Sequence, residues 1–171
     1  MLHHRLVAAL LGLCCLTATL DGARAAEPGP YARQSEQTRQ VAEPYFKAYL
    51  DRDWDTVAGL LAEQASFGDP TATLVFGGVQ HQGRQAVLKL FRESYAAIVQ
   101  MRFQARHSFH SGHYAVFSGD LDWTLRMQDG REVRSVMPFV TSLRIEEGKV
   151  VQHQDLADYA PFLSAVRAAR P

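Results

Sequence analysis

Cysteine is nearly missing from this chain of 171 residues: only Cys14 and Cys15 occur, side by side near the N-terminus. Beyond them there is no disulfide framework, no thiol nucleophile and no cysteine metal site. An excess of either charge is missing too, with 18 basic against 18 acidic residues. Without a basic cluster there is no electrostatic footprint for nucleic acid. Internal repeats, low-complexity tracts and a second-domain linker are also lacking, so the length implies one domain with a real core. The longest apolar run, Leu6 to Leu20, is short for a membrane span of about 20 residues. It follows the basic stretch Met1–Arg5 and precedes the small-x-small signature Ala23-Arg24-Ala25. That layout predicts a secretory signal peptide over residues 1–25, export to the periplasm or beyond, and no membrane attachment after cleavage. Loss of Arg5, Arg24 and Asp21 leaves 16 basic and 17 acidic residues, and no cysteine. Residues 26–34, with Glu27-Pro28-Gly29-Pro30, read as a flexible lead-in to a domain over 35–171.

What is present falls into two halves. In the first, the period is helical. Ser35 caps a predicted helix to about Leu50, with Val41, Tyr45, Ala48 and Tyr49 on one face and Pro44 set to kink it. Asp53 caps a short helix through Leu61. Ala65–Phe67 forms a strand that stops at Asp69-Pro70. Thr71–Phe76 reads either as a strand or as a lid-like loop, the lid extending to Gln82. Arg84 to about Val99 is a third helix burying Val87, Leu88, Phe91, Tyr95 and Ile98. After Gln100 the period becomes two. Strands are predicted at 101–109, 114–127, 131–145 and 150–155, joined at Asp129-Gly130 and Glu147-Gly148 by hairpin turns. A closing helix runs from Tyr159 to Arg167. Helices followed by a meander predict an α+β fold, with helices covering one side of the sheet.

Two strands carry the chemical signal. On 150–155, alternation sets Val151, His153 and Asp155 on one face. On 114–127, one face holds Tyr114, Val116, Ser118, Asp120, Asp122 and Thr124, and the other Ala115, Phe117, Leu121, Trp123 and Leu125. Periodicity favours the second as core and leaves the aspartates in solvent, but both faces have apolar members. On 131–145, Val133, Met137, Phe139, Leu143 and Ile145 lie together with Ser135 and Thr141, and Pro138 predicts a bulge or an edge. His153 and Asp155 with Asp122 could ligate a metal. The preferred reading is that His153 orients Asp155 or is structural, with no metal and no cofactor.

Tyr45, the run Ala65-Ser66-Phe67-Gly68-Asp69-Pro70, Gly83-Arg84-Gln85-Ala86-Val87 and Glu147-Gly148-Lys149-Val150 before His153-Gln154-Asp155 together resemble the nuclear transport factor 2-like superfamily. Its members include ketosteroid isomerase, limonene-epoxide hydrolase and SnoaL-like polyketide cyclases. The resemblance covers about Ser35 to Phe162 and implies a cone-shaped, curved sheet wrapped on about three N-terminal helices, assembled as a homodimer. It places Asp69 at the position of the isomerase's proton-shuttling aspartate, Tyr45 at that of its oxyanion tyrosine and Thr141 at that of the second oxyanion acid. It places Asp122 and Asp155 at the two catalytic aspartates of the epoxide hydrolase, and Asp120 at its bridging arginine. It therefore turns Asp69, Asp122 and Asp155 into the cone. The expected pocket adds Tyr49, Phe67, Phe91, Asp120, Phe139, Thr141 and His153. Acids sharing one cavity cannot all ionise freely, which suits general acid–base work on a small lipophilic or cyclic molecule. A non-catalytic binder of such a molecule and an accessory dimer are the alternatives.

Overall fold

A computed structural model describes residues 27–169. The expected signal segment and the two cysteines lie outside the described residues. Helix α1 spans Pro30–Asp51 and begins five residues before the expected cap, because Pro30 at the first helical position preorganises the backbone. Ser35 therefore sits inside the helix, where its hydroxyl donates to the Tyr31 carbonyl and accepts from the Gly112 amide. The helix continues through Pro44 and ends at Arg52, in the left-handed region with φ 60°. Asp53 caps α2 (Trp54–Leu60) by accepting from the Thr56 amide at 3.1 Å, as its position predicts.

Strand β1 (Leu61–Asp69) ends at Asp69, whose carboxylate caps a single 3₁₀ turn over Pro70–Ala72. Thr71–Phe76 is thus neither strand nor loop: that turn leads into a one-turn helix α3 (Thr73–Phe76). Strand β2 (Val79–Gln82) folds back antiparallel on β1. Helix α4 (Arg84–Ser94) is followed by a 3₁₀ turn at Tyr95–Ala97, so the expected third helix is shorter and ends before Tyr95. Four long strands follow: β3 (Ile98–Ser111), β4 (Tyr114–Arg126), β5 (Glu132–Glu146) and β6 (Lys149–Ala157), and then α5 (Ala160–Ala168). The sheet order is β2-β1-β6-β5-β4-β3, antiparallel except where β6 returns to lie parallel with β1. Helix α1 packs against β3, α4 against β1 and α5 against β5, which gives the sheet an inner side.

Period-two burial is clean on the central strands. On β5, Val133, Ser135, Met137, Phe139, Thr141, Leu143 and Ile145 are all buried. Pro138 causes neither a bulge nor an edge there. Its pairing with Asp120 is in register, and its carbonyl accepts from the Asp158 amide on the β6 side, where β6 ends. Its missing N–H points the same way, so no ladder bond to β4 is lost. On β6 a register shift between Arg144 and Ile145 makes Val151 the extra residue, so Val150, not Val151, shares the inner face with His153 and Asp155. A second shift on β3, between Ala105 and His107, lies opposite Gly119. A Cβ at Gly119 would collide with the Gln104 carbonyl, so only glycine allows the close approach of these strands.

Candidate functional site

Between the inner side of the sheet and the α3 and α4 segments lies a cavity of about 390 Å³. Phe67, Val79, Leu90, Ile98 and Trp123 make most of its wall apolar, while Asp69, His81, Ser94, Tyr95 and Tyr159 add its polar groups. The same Asp69, Tyr95, Ile98, Trp123 and Tyr159 also border a narrow inner end of about 30 Å³, which Tyr49, Met137, Phe139 and Asp155 close. Asp69 therefore faces a mostly apolar space, and Asp155 joins it at the narrow inner end. This is the expected arrangement of a small-molecule site, with few polar groups at fixed positions.

Asp155 is 2% exposed and is the centre of a buried hydrogen-bond network. His153 Nε2 at 2.9 Å and Thr141 Oγ1 at 2.7 Å donate to its Oδ1. The Tyr49 hydroxyl donates to its Oδ2 at 2.6 Å. Behind it, the Tyr45 hydroxyl bonds His153 Nδ1 at 2.9 Å, and towards the cavity the Tyr49 and Tyr95 hydroxyls are 2.5 Å apart. Phe67, Phe91 and Tyr49 pack around the imidazole and hold its plane. Burial pushes the phenols of Tyr45, Tyr49 and Tyr95 well above their usual range, and the Asp155 charge adds to this.

Asp69 is held differently. Its Oδ1 accepts from the Thr71 amide and hydroxyl and the Ala72 amide, at 2.9, 2.5 and 3.0 Å. Its Oδ2 accepts from the Tyr159 hydroxyl at 2.6 Å. The local sequence Asp69-Pro70-Thr71 builds this, since proline starts the 3₁₀ turn and the preceding carboxylate caps it. Burial and this carboxylate raise the Tyr159 phenol far above its usual range. Among the described residues each Oδ2 accepts from a single donor, Tyr49 on Asp155 and Tyr159 on Asp69.

Other expected site residues lie elsewhere. Asp122 and Asp120 are on the outer face of the sheet, because alternation along β4 turns Leu121 and Trp123 inward. Asp122 forms an ion pair with Arg134 on β5 at 2.8 Å, and Asp120 one with Arg106. The hydrogen bonds from Arg134 hold the Asp122 carboxyl below its usual range. Neither acid reaches the cavity, so the catalytic place expected for Asp122 and the pocket place expected for Asp120 are corrected. With Asp122 outside, the His153, Asp155 and Asp122 metal set is not assembled. Among the described residues no group of three such side chains is placed to hold a metal. Tyr45 and His153 stand behind Asp155 rather than on the cavity wall, and Phe91 packs in the core against Trp54 and Tyr95. Thr141 touches the site only by its bond to Asp155. Asp69, Asp155, Tyr49, Phe67 and Phe139 do line the cavity or its inner end.

Sequence reasoning passed over Tyr95, Trp123 and Tyr159. Tyr95 follows Val87 and Phe91 at i+4 steps, so the helical period marked it as inward and nothing marked its hydroxyl. Trp123 was legible as the inward neighbour of Asp122 on β4. Tyr159 carried no signal, since its place depends on how the chain leaves β6.

Residues 42–153 match the SnoaL-like domain family. The chain belongs to that family. Among proteins of curated function none matches the sequence. Among solved structures, one similar in fold is a protein assigned as a SnoaL-like polyketide cyclase from Shewanella denitrificans OS-217. It has 20% identity and a TM-score of 0.68, over 77% of this chain and 97% of that one. A protein assigned as a ketosteroid isomerase from Kribbella flavida DSM 17836 is 25% identical with a TM-score of 0.56, over 73% and 80%. An LEH-like epoxide hydrolase from M. tuberculosis is 15% identical with a TM-score of 0.59, over 77% and 91%. At such identities the likeness establishes the SnoaL-like fold, and function has to be argued from the site.

Proposed function

We propose that this SnoaL-like protein is exported, binds a small lipophilic or cyclic molecule in the cavity, and acts on it without a cofactor by general base catalysis. Asp69 is the base. It borders both the wide cavity and the inner end, so a ligand entering the slot meets it first, and the open side of Oδ2 can take a proton. The proton comes from a hydroxyl, a water or an acidic C–H, and the electron pair stays on the ligand's oxygen or carbon, which then attacks or rearranges. Asp155 is a second acceptor, reached through Tyr49. His153, Thr141 and Tyr45 position Asp155 and do not touch the ligand. The homodimer of the superfamily is part of the same proposal. The observation that carries it is Asp69 on the wall of a mostly apolar cavity, with Asp155 beside it at the narrow inner end and no lysine or arginine on the described walls.

Turnover of a cyclic epoxide and a ketosteroid enone by purified protein, alone and as Asp69→Asn, tests the reading. The substitution should lower kcat/KM by about 100-fold or more, with Asp122→Asn leaving it unchanged. Turnover indifferent to Asp69→Asn would remove Asp69 from the chemistry. A second reading, a binder without catalysis, is favoured by one observation: the side-chain donors at the inner end are already engaged, which leaves none for a developing oxyanion. A co-purifying ligand in native mass spectrometry, with no turnover of either substrate, is its expected outcome.

A further inference from the structure

The hydroxyl protons around the inner end all run one way. The Tyr45 hydroxyl lies 2.9 Å from His153 Nδ1, and His153 Nε2 faces Asp155, so an imidazole that carries its proton on Nε2 accepts from Tyr45. That N–H donates to Asp155, as do Thr141 and Tyr49, so Asp155 receives three bonds and as a carboxylate gives none. Tyr49 has one proton and it is on the Asp155 bond. The 2.5 Å contact between Tyr49 and Tyr95 is therefore filled by the proton of Tyr95. Across the space, Tyr159 gives its only proton to Asp69, and Trp123 Nε1 gives its proton to Ser135 Oγ at 2.8 Å. Tyr49, Asp69, Tyr95, Trp123, Asp155 and Tyr159 are the polar side chains there, and none retains a free donor.

We propose that the inner end is an acceptor-only subsite: it takes a ring-borne O–H or N–H donor, such as a phenol, an enol or an amine, and rejects oxyanions. An anion placed there would meet two carboxylates and lone pairs, with no cation to offset them. A neutral donor would instead fill the open lone pairs of Tyr95, Tyr159 and the two Oδ2 atoms. The raised phenols keep the tyrosines protonated through the neutral range, so the direction of the network persists there. The polarity is set by Asp155. In Asp155→Asn, an amide nitrogen at the Oδ2 position would donate to Tyr49. Tyr49 would then donate to Tyr95, and the Tyr95 proton would turn to the cavity.

This inference rests on the cavity being the ligand site and is independent of catalysis. Its test is calorimetric titration of the full protein with para-nitrophenol across that probe's own pKa, with nitrobenzene as the donor-free control. Wild-type affinity for the phenol should fall about tenfold per pH unit above the probe's pKa, with nitrobenzene binding flat. Asp155→Asn should reverse the preference and bind the phenolate more tightly. Should that variant not fold, Tyr95→Phe decides: phenol affinity should drop at least about fivefold while nitrobenzene affinity is unchanged. Affinity that holds or rises as the phenol ionises would overturn the acceptor-only subsite while leaving the ligand cavity intact. Binding of neither probe would overturn both.

Discussion

Four aspartates bear on the sheet and its rim, and they divide into two inner and two outer ones with opposite chemistry. Asp120 and Asp122 on the outer face are neutralised by Arg106 and Arg134, in partly solvated ion pairs. Asp69 and Asp155 on the inner side are buried and held by hydroxyls, amides and an imidazole, with no lysine or arginine bonded to them among the described residues. A cation removes the charge as a binding determinant. Neutral donors hold the carboxylate in place and leave its charge for a ligand. On the proposed reading, burial and partner together separate the outer acids, paired with arginine, from the inner ones that meet a ligand.

The comparison can be broken most easily at Asp155. Asp155→Ala strands the Tyr49, Thr141 and His153 donors in the core and should cost about 3 kcal/mol or more in urea unfolding. Asp122→Ala removes only a partly solvated ion pair and should shift the midpoint little. Equal losses would erase the distinction. Tyr45→Phe is next: it leaves His153 Nδ1 without its hydrogen-bond partner and should cost about 1–2 kcal/mol, while probe binding changes less than in Tyr95→Phe. A smaller effect is alkaline. Tyr45, Tyr49 and Tyr95 have folded pKa values raised above the unfolded value of about 10. Their contribution is complete below that pH and is lost as pH rises through and beyond it, because the unfolded chain ionises first. Stability measured against pH should fall above about 10, and less steeply in Tyr49→Phe. The smallest effect is acidic. Asp122 has a lowered folded pKa, so its contribution is present above the unfolded carboxyl pKa and fades as pH falls through the folded one. Asp122→Asn should flatten the acid limb slightly, and added salt should shrink the difference.

The strands, hairpins and short capped helix were legible because each rests on local signals: period-two burial, Asp129-Gly130, Glu147-Gly148, and Asp53 before Thr56. The α+β class followed, while the SnoaL-like family came from the resemblance carried by Tyr45, Ala65–Pro70, Gly83–Val87 and Glu147–Asp155. Asp69 and Asp155 were also legible as inward acids. What misled was β4. Its alternation already favoured Phe117, Leu121 and Trp123 as core, and residue-by-residue resemblance to the epoxide hydrolase turned Asp122 inward against it. The bulge at Val151 was not legible, since a one-residue register shift depends on the neighbouring strand and leaves no mark in the alternating pattern. Nor was the place of Tyr95 and Tyr159, whose hydroxyls meet Tyr49 and Asp69, 46 and 90 positions away in the chain. Contacts of that range come from the closing of the sheet around α1 and α4, not from local pattern.

The most direct test of the central claim is para-nitrophenol affinity, below the probe's pKa, in four single variants: Asp69→Asn, Asp155→Asn, Asp120→Asn and Asp122→Asn. The inner pair should each change affinity by about fivefold or more, as hydrogen bonds to charged groups do, and the outer pair by less than twofold. An Asp122→Asn effect as large as that of Asp155→Asn would contradict the division of the acids into an inner site and an outer scaffold.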